Sequence, residues 1–290
     1  MPRIGVVGIR GGWSSEALAS AVEQKTAYKL LIELNKISLD LSTGSAWFEG
    51  TDISKLDGLI IKKAGARYSP LLLDRLELLR FLQERGMKIF SNPYNIMRVL
   101  DRLSCTVTLR SGGIPMPETT ITENTGEALG AVNRYKDAVF KPLYSTKARG
   151  MEIISAGPQA PAKIEAFAQQ FGIMYIQKKL DIGGQDLGVV FMGGEYLATY
   201  ARCGDGSSWN TTTRSGGKYQ AYTPSEETLA IAKKAQDLFG LDFTCVDVAE
   251  SGGNCPIVFE VSAFGGFRGI QTACGMDAAD LYADYVLKKL

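Results

Sequence analysis

Two acids set in otherwise apolar segments are the first sign of chemistry. Asp247 lies in Cys-Val-Asp-Val-Ala (245–249) and Glu260 in Ile-Val-Phe-Glu-Val (257–261). Runs rich in Val, Ile and Phe on either side of Gly252-Gly253 predict a β-hairpin. A turn symmetric about those glycines sets Asp247 opposite Val258, with Glu260 next on the same face and Ser262 two residues further on. Neither strand carries a basic residue, so the two carboxylates repel each other and resist ionisation. A divalent cation with oxygen ligands resolves this; Mg²⁺ typically takes one or two carboxylates together with phosphate oxygens. A solvated strand face without a metal accounts for the same pattern.

Phosphate-directed charge is the second signal. Lys141 closes the apolar run Ala-Val-Phe (138–140) directly before Pro142. A lysine held this way is a fixed positive charge suited to phosphate oxygens, although one snorkelling from a strand end has the same spacing. The polar stretch Tyr-Ser-Thr-Lys-Ala-Arg-Gly (144–150) follows. Its backbone N–H groups, with Ser145, Thr146, Lys147 and Arg149, could cover a phosphate chain. Near the N-terminus, Gly8-x-x-Gly11-Gly12 has the look of a dinucleotide turn with Glu33 at the ribose position, but the spacing is not GxGxxG.

Composition narrows the mechanism. The 290 residues contain no histidine, which excludes Ser-His-Asp and Cys-His catalysis and His-ligated metal within this chain. Acid–base work falls to carboxylates, Lys, Tyr, Cys or the substrate itself. Lys and Arg number 32 against 31 for Asp and Glu, a balance that carries no footprint for nucleic acid or membrane. Five cysteines, odd in number and without CxxC spacing, argue against a disulfide framework or a structural zinc. The first apolar run is too short for a signal peptide and none approaches a membrane span, so a soluble, cytoplasmic protein is expected.

The elements that must position these residues read as follows. Strands at 3–9, 30–34, 58–61 and 87–90, with helices to about residue 25 and over 71–85, predict a parallel sheet covered on both faces. Ser91-Asn-Pro-Tyr-Asn marks a break near residue 95. One helix is expected over 96–111, stopped by Gly-Gly-Ile-Pro-Met-Pro (112–117). Strands then follow at 119–122, 138–142 and 173–179, with helices at 128–134 and 161–171. A hairpin of 187–192 and 196–201, a helix over 225–239 and a closing helix over 280–290 complete the chain.

This succession resembles the ATP-grasp superfamily, and within it the RimK-like carboxylate–amine ligases. The resemblance rests on Gly112-Gly-Ile-Pro-Met-Pro, Val139-Phe-Lys-Pro, Arg214-Ser-Gly-Gly, Gly240-Leu-Asp-Phe-Thr-Cys-Val-Asp-Val and Phe259-Glu-Val-Ser-Ala-Phe-Gly-Gly-Phe-Arg-Gly, and runs over essentially the whole chain. It implies an α/β and α+β architecture: two α+β lobes sandwiching ATP, preceded by a small parallel-sheet domain. The corresponding boundaries are 1–95, 96–175 with the phosphate loop, and 176–290 with the metal-binding carboxylates.

The resemblance implies ATP and Mg²⁺ (two ions, with Mn²⁺ as a substitute), and amide formation through an acyl phosphate. It matches Lys141 and Arg102 to phosphate contacts, and Gln177, Lys178 and Lys179 to the hinge that receives adenine. Asp186 falls near the ribose, Arg202 faces the transferred phosphate, Arg214 approaches substrate, and Asp247, Glu260 and Ser262 match metal ligands. Arg10, Ser14, Lys63 and Arg67 are candidates for the acceptor site.

Departures accompany the match. Arg102 stands where relatives usually have lysine, Gly188 where arginine is frequent, and Ser262 where asparagine is usual; the phosphate loop holds one glycine instead of several. The implied partners are a small-molecule or peptide carboxylate and an amine, with a homo-oligomer left open. Two other readings stand beside this one: an ATP-binding regulator without turnover, and a Rossmann-type oxidoreductase built on Gly8–Gly12.

Overall fold

The computed structural model describes residues 1–206, 208–250 and 255–290. Its first part contains β1 (Ile4–Val7), α1 (Trp13–Thr26), β2 (Leu31–Ile32), β3 (Ser38–Asp40), β4 (Ser45–Phe48), β5 (Thr51–Asp52), β6 (Gly58–Ile61), α2 (Leu71–Glu84) and β7 (Lys88–Phe90). β2-β1-β6-β7 form the expected parallel sheet. Every residue of β1 and β6 is buried, as a sheet covered on both faces requires. The alternation of strand and helix is interrupted, however. A three-stranded antiparallel sheet, β3-β4-β5, occupies the stretch between β2 and β6. Only Ala46 and Phe48 of its strands reach the core, too few apolar positions to show in the sequence.

The helix expected over 96–111 is two, α3 (Pro93–Leu100) and α4 (Arg102–Ser111). Asp101 breaks it: the backbone is extended there, and its carboxylate accepts the N–H of Leu103 as an N-cap. After β8 (Thr119–Thr122), α5 (Thr125–Tyr135), β9 (Asp137–Lys141), β10 (Glu152–Ser155), α6 (Ala160–Phe171) and β11 (Met174–Lys178), an antiparallel sheet forms in the order β10-β9-β11-β8. α5 and α6 bury Ala128, Val132, Ile164 and Phe167 against Phe140, Met174 and Ile176. The polar stretch 144–150 is the connection between the paired strands β9 and β10.

The last part contains β12 (Gln185–Met192), β13 (Glu195–Cys203), β14 (Lys218–Ala221), α7 (Glu226–Asp237), β15 (Phe243–Ala249), β16 (Ile257–Ser262), α8 (Phe267–Cys274) and α9 (Ala278–Lys289). Its antiparallel sheet runs β14-β13-β12-β15-β16. The sheet follows the two-residue period closely. Leu187, Val189, Ala201, Val246, Val248, Val258 and Val261 enter the core, while their neighbours Asp186, Tyr200, Arg202, Cys245, Asp247, Glu260 and Ser262 line a cavity on the other face. α9 returns to the first sheet, where Lys25 of α1 bridges Asp280 and Asp284 at 2.7 and 2.8 Å. Among the described residues no helix is long and apolar enough to cross a membrane.

Candidate active site

The hairpin register differs from the symmetric one. Val248 pairs with Val258, but Asp247 pairs with Glu260, so a bulge leaves Phe259 as the extra residue on β16. The bulge turns the acids from staggered neighbours into a directly opposed pair on the cavity face. Gly252-Gly253, on which the symmetric register was centred, lies outside the described residues.

Register carries the site across the sheet in two ladders. One runs Tyr219–Arg202–Asp186. The other runs Tyr200–Gly188–Asp247–Glu260. The acids are therefore not alone, as the two strands by themselves suggest. Arg202 donates through Nε to Asp186 Oδ2 at 3.0 Å, and its Nη2 lies 3.0 Å from Asp247 Oδ1. Arg102 Nη1 lies 3.2 Å from Glu260 Oε2, and the same guanidinium donates to the Pro142 carbonyl at 3.1 Å and to Ser145 Oγ at 3.3 Å. The break at Asp101 is what places Arg102 on the first turn of α4, where it reaches both the acid and the loop.

Burial pushes the Asp247 carboxyl up from its usual range and Glu260 adds to this, while Arg202 pulls it back. Arg202 itself is held well above its ordinary value: burial opposes the charge, but Asp247 and Asp186 outweigh it. Lys141 is also not simply a fixed cation. Desolvation, reinforced by Arg102, lowers it to about 7, and its Nζ donates to Gln177 Oε1 at 2.5 Å. A lysine so poised holds its proton firmly only when an anion arrives.

Asp186, matched to the ribose contact, is buried and committed. It accepts from Arg202 and from the Thr211 hydroxyl, and so orients the arginine. Ser262 is likewise engaged: its Oγ accepts the N–H groups of Phe264 and Gly265, each at 3.2 Å. Those two bonds shape the turn after β16.

All these groups face one cavity of about 660 Å³, within the range that holds a nucleotide-sized ligand. Ser145, Thr146, Lys147, Gln177, Lys178 and Lys179 line it, as do Lys63 and Ser14. Lys147 and Ala148 take left-handed backbone at φ 56° and 55°, so neither needed the extra glycines of the expected loop. Lys178 pairs with Glu118 at 2.7 Å. Burial, with Lys147 nearby, lowers Lys63 to about 8, and its Nζ donates to the Phe264 carbonyl at 3.4 Å.

Arg10 and Arg67 are not brought in: Arg10 is bound to Glu49 and Glu33, and Arg67 is exposed away from the cavity lining. Glu33, the acid of the dinucleotide alternative, is paired with Lys36 at 2.6 Å. Arg214 has its backbone in a single 3-10 turn, Thr213–Ser215, and its side chain lies outside the described part.

Several lining residues have no clear sequence signal. Tyr200 fills the space above Gly188, where a Cβ would come within 2.3 Å of its ring, and a Cβ at Gly269 of α8 would meet the same ring at 2.3 Å. Glycine at 188 therefore makes room for Tyr200, while Arg202 supplies the charge beside Asp247. Trp13, Thr211, Trp209, Tyr219 and Arg268 also line the cavity. Trp13 was legible only as the residue after Gly11-Gly12, and Arg268 only as part of Phe-Gly-Gly-Phe-Arg-Gly.

The donor set suits a hard cation. Asp247 and Glu260 offer oxygens only, and among the described residues no group of three or more His, Cys, Asp or Glu side chains is close enough to hold a metal ion without further ligands. Cys245 is adjacent, but burial pushes its thiol up to about 12, so it stays protonated at neutral pH.

Comparison with known proteins agrees with this geometry. Residues 99–286 match the RimK-like ATP-grasp domain. The chain is 25% identical over 307 aligned positions to the tetrahydromethanopterin:alpha-L-glutamate ligase of Methanosarcina acetivorans, covering 94% of this chain and 95% of the relative. It is 27% identical over 249 positions to the probable alpha-L-glutamate ligase of Syntrophotalea carbinolica, covering 83% and 79%. The solved structure of the ATP-grasp ligase PsnB complexed with minimal precursor, Mg and ADP superposes with a TM-score of 0.75 at 16% identity, over 99% of this chain and 96% of that one. Fold, opposed acids and kinship converge: the chain belongs to the RimK-like ATP-grasp family and is an ATP-dependent carboxylate–amine ligase.

Proposed function

We propose that the 660 Å³ cavity binds ATP and the reacting carboxylate together, and that ligation proceeds through an acyl phosphate. The observation that carries this reading is the opposition of Asp247 and Glu260 on the face that also presents Arg202, within the cavity that Lys141 lines. Lys141, Arg102 and the Ser145–Lys147 segment bind the phosphates. The hinge Gln177–Lys179 receives adenine through its backbone, and the Gln177 side chain holds Lys141 in place. Asp247 and Glu260 would hold the magnesium, two ions being expected and Mn²⁺ an acceptable substitute; Ser262, whose Oγ already accepts two backbone N–H groups, would contribute through water. When bound, the ion neutralises charge on the phosphate oxygens.

The substrate carboxylate oxygen attacks the γ-phosphorus, the bond to ADP breaks, and Arg202 stabilises the charge on the transferred phosphoryl. The amine then adds to the acyl carbon, and phosphate leaves with the proton lost from nitrogen. No enzyme nucleophile is required, in keeping with a chain that has no histidine. Enclosure between the sheets keeps water from the acyl phosphate.

The proposed division into 1–95, 96–175 and 176–290 is supported by the presence of three separate main sheets, although its two cuts fall inside α3 and inside β11, so the second sheet extends to Lys178. Lys63 and Arg214 serve the substrates, and the reaction is placed in the cytoplasm. The relatives' names make L-glutamate the first acceptor to try. The test is phosphate release by the protein with Mg-ATP, L-glutamate and a panel of carboxylates, beside Asp247→Asn. Turnover in the wild type and none in the variant supports the reading. Equal turnover in both removes Asp247 from the site. Tight binding of ATP with no turnover on any pair favours a regulator instead.

A further inference from the structure

The cavity's acids and cations do not balance. Its three acids are all engaged: Asp186 and Asp247 by Arg202, and Glu260 by Arg102. Among the cations, Lys141 is held by Gln177 and Lys178 by Glu118. Lys63, Lys147, Arg149 and Lys179 also line the cavity with no acid in ion-pair distance among the described residues, but the last three belong to the phosphate loop and the hinge, and Lys63 donates to the Phe264 carbonyl; Arg268 has none of these assignments. It stands on the first turn of α8, exposed into the cavity, and among the described residues no acid lies within ion-pair distance of it. Its guanidinium carbon sits 4.9 Å over the ring of Trp13, the first residue of α1. Two elements distant in sequence therefore bring one arginine, set against an aromatic ring, to the cavity. α8 packs against β13 and β14, the strands that carry Arg202 and its cross-strand partner Tyr219, so Arg268 lies on the Arg202 side of the site.

An indole ring against the guanidinium offers no hydrogen-bond acceptor, so the N–H groups of Arg268 are left to take a carboxylate in bidentate fashion. The reacting carboxylate loses its charge on phosphorylation and belongs beside Arg202. An anion on Arg268 must be one that does not react. We propose that Arg268, steadied by Trp13, binds the free carboxylate of the amine substrate, which is therefore an α-amino acid and not a simple amine. Trp13, 39% exposed, offers its remaining surface to the carbon chain of that amino acid. A carboxylate anchored at one point leaves the amine only a short arc in which to swing, which orients it toward the acyl carbon.

This inference rests on the ligase reading, and the experiment separates the two. Affinity for Mg-AMPPNP is measured first, by thermal shift. The twenty common amino acids and their α-amides are then titrated to 20 mM onto the AMPPNP-loaded protein. At least one amino acid is expected to bind with its amide at least tenfold weaker. Arg268→Gln should weaken the acid by roughly 10- to 100-fold while nucleotide affinity is kept, the cost of losing hydrogen bonds to a charged group. Arg268→Lys should recover part of it, and Trp13→Phe should lower the selectivity for acid over amide. Equal binding of acid and amide, full retention in Arg268→Gln, or no amino acid bound at all overturns the proposal while nucleotide binding stands. Absence of nucleotide binding in the wild type overturns the ligase reading and this inference with it.

Discussion

Lys141 offers a prediction in which function and stability pull in opposite directions. Replacing it by methionine removes a cation that the folded protein holds at a cost. Its ammonium falls from an ordinary 10.5 to about 7 because burial strips its water and Arg102 repels it, with Glu260 and Asp247 only partly offsetting this. At ~1.4 kcal/mol per tenfold change, that displacement corresponds to roughly 4–5 kcal/mol against the charged form. Part of the side chain reaches water in the cavity, and the screening there takes away much of the figure. The variant also leaves Gln177 Oε1 without its donor, which returns ~1–2 kcal/mol.

A net gain of ~1–2 kcal/mol is expected below pH 7, where both folded and unfolded states carry the proton and the penalty is complete. Between the folded value and 10.5 the unfolded chain binds more protons, so the wild type gains stability with rising pH and the advantage of the variant shrinks. Urea unfolding at pH 6 and pH 9.5 measures both points, and titration with Mg-ATP at pH 6 measures the loss of function. Wild type saturated at 100 times its Kd should gain about 2.7 kcal/mol from the nucleotide, the variant far less. A variant no more stable than wild type at pH 6, a gain that does not change with pH, or unaltered ATP affinity would refute the account of Lys141.

Other outcomes follow from the same contacts. Asp247→Asn and Glu260→Gln should each abolish Mg²⁺-dependent turnover with the fold intact by circular dichroism, because Arg202 keeps Asp186 and Arg102 keeps the Pro142 carbonyl; wild-type rates in both would sink the metal assignment. Gly188→Arg should cost about 3 kcal/mol by clash with Tyr200, and Tyr200→Gly in the same chain should recover much of it, a coupling read from a double-mutant cycle of urea midpoints. Ser262→Ala should cost ~1–2 kcal/mol by freeing the N–H groups of Phe264 and Gly265. Its dependence on Mg²⁺ concentration should stay that of wild type, whereas a weakened dependence would make Ser262 a ligand.

Much of this molecule is written locally. The buried strands 4–7 and 58–61, the lysine that ends β9 and the isolated acids of 245–261 are visible because apolar runs and the residues that interrupt them are neighbours along the chain. The absence of histidine excludes whole mechanisms on residue type alone. What the sequence could not disclose depends on pairing at a distance. One bulge at Phe259 decides whether Asp247 faces Val258 or Glu260, and a slip of one residue turns every side chain of a strand to the other face.

The partners of those acids come from β13 and α4, whose approach is set by sheet order and by the break at Asp101. Asp186 is matched to the ribose by resemblance and becomes the brace of Arg202 only once Asp186 and Arg202 are paired across β12 and β13. Lys141 is a cation by composition, yet its readiness to hold the proton is a property of the space around it. Arg268 and Trp13, some 250 positions apart in the chain, meet only because α8 and α1 both begin at the same cavity. Residue type and spacing determined which chemistries were available; desolvation, register and the meeting of distant elements, which exist only in the folded chain, decided which residues carry them.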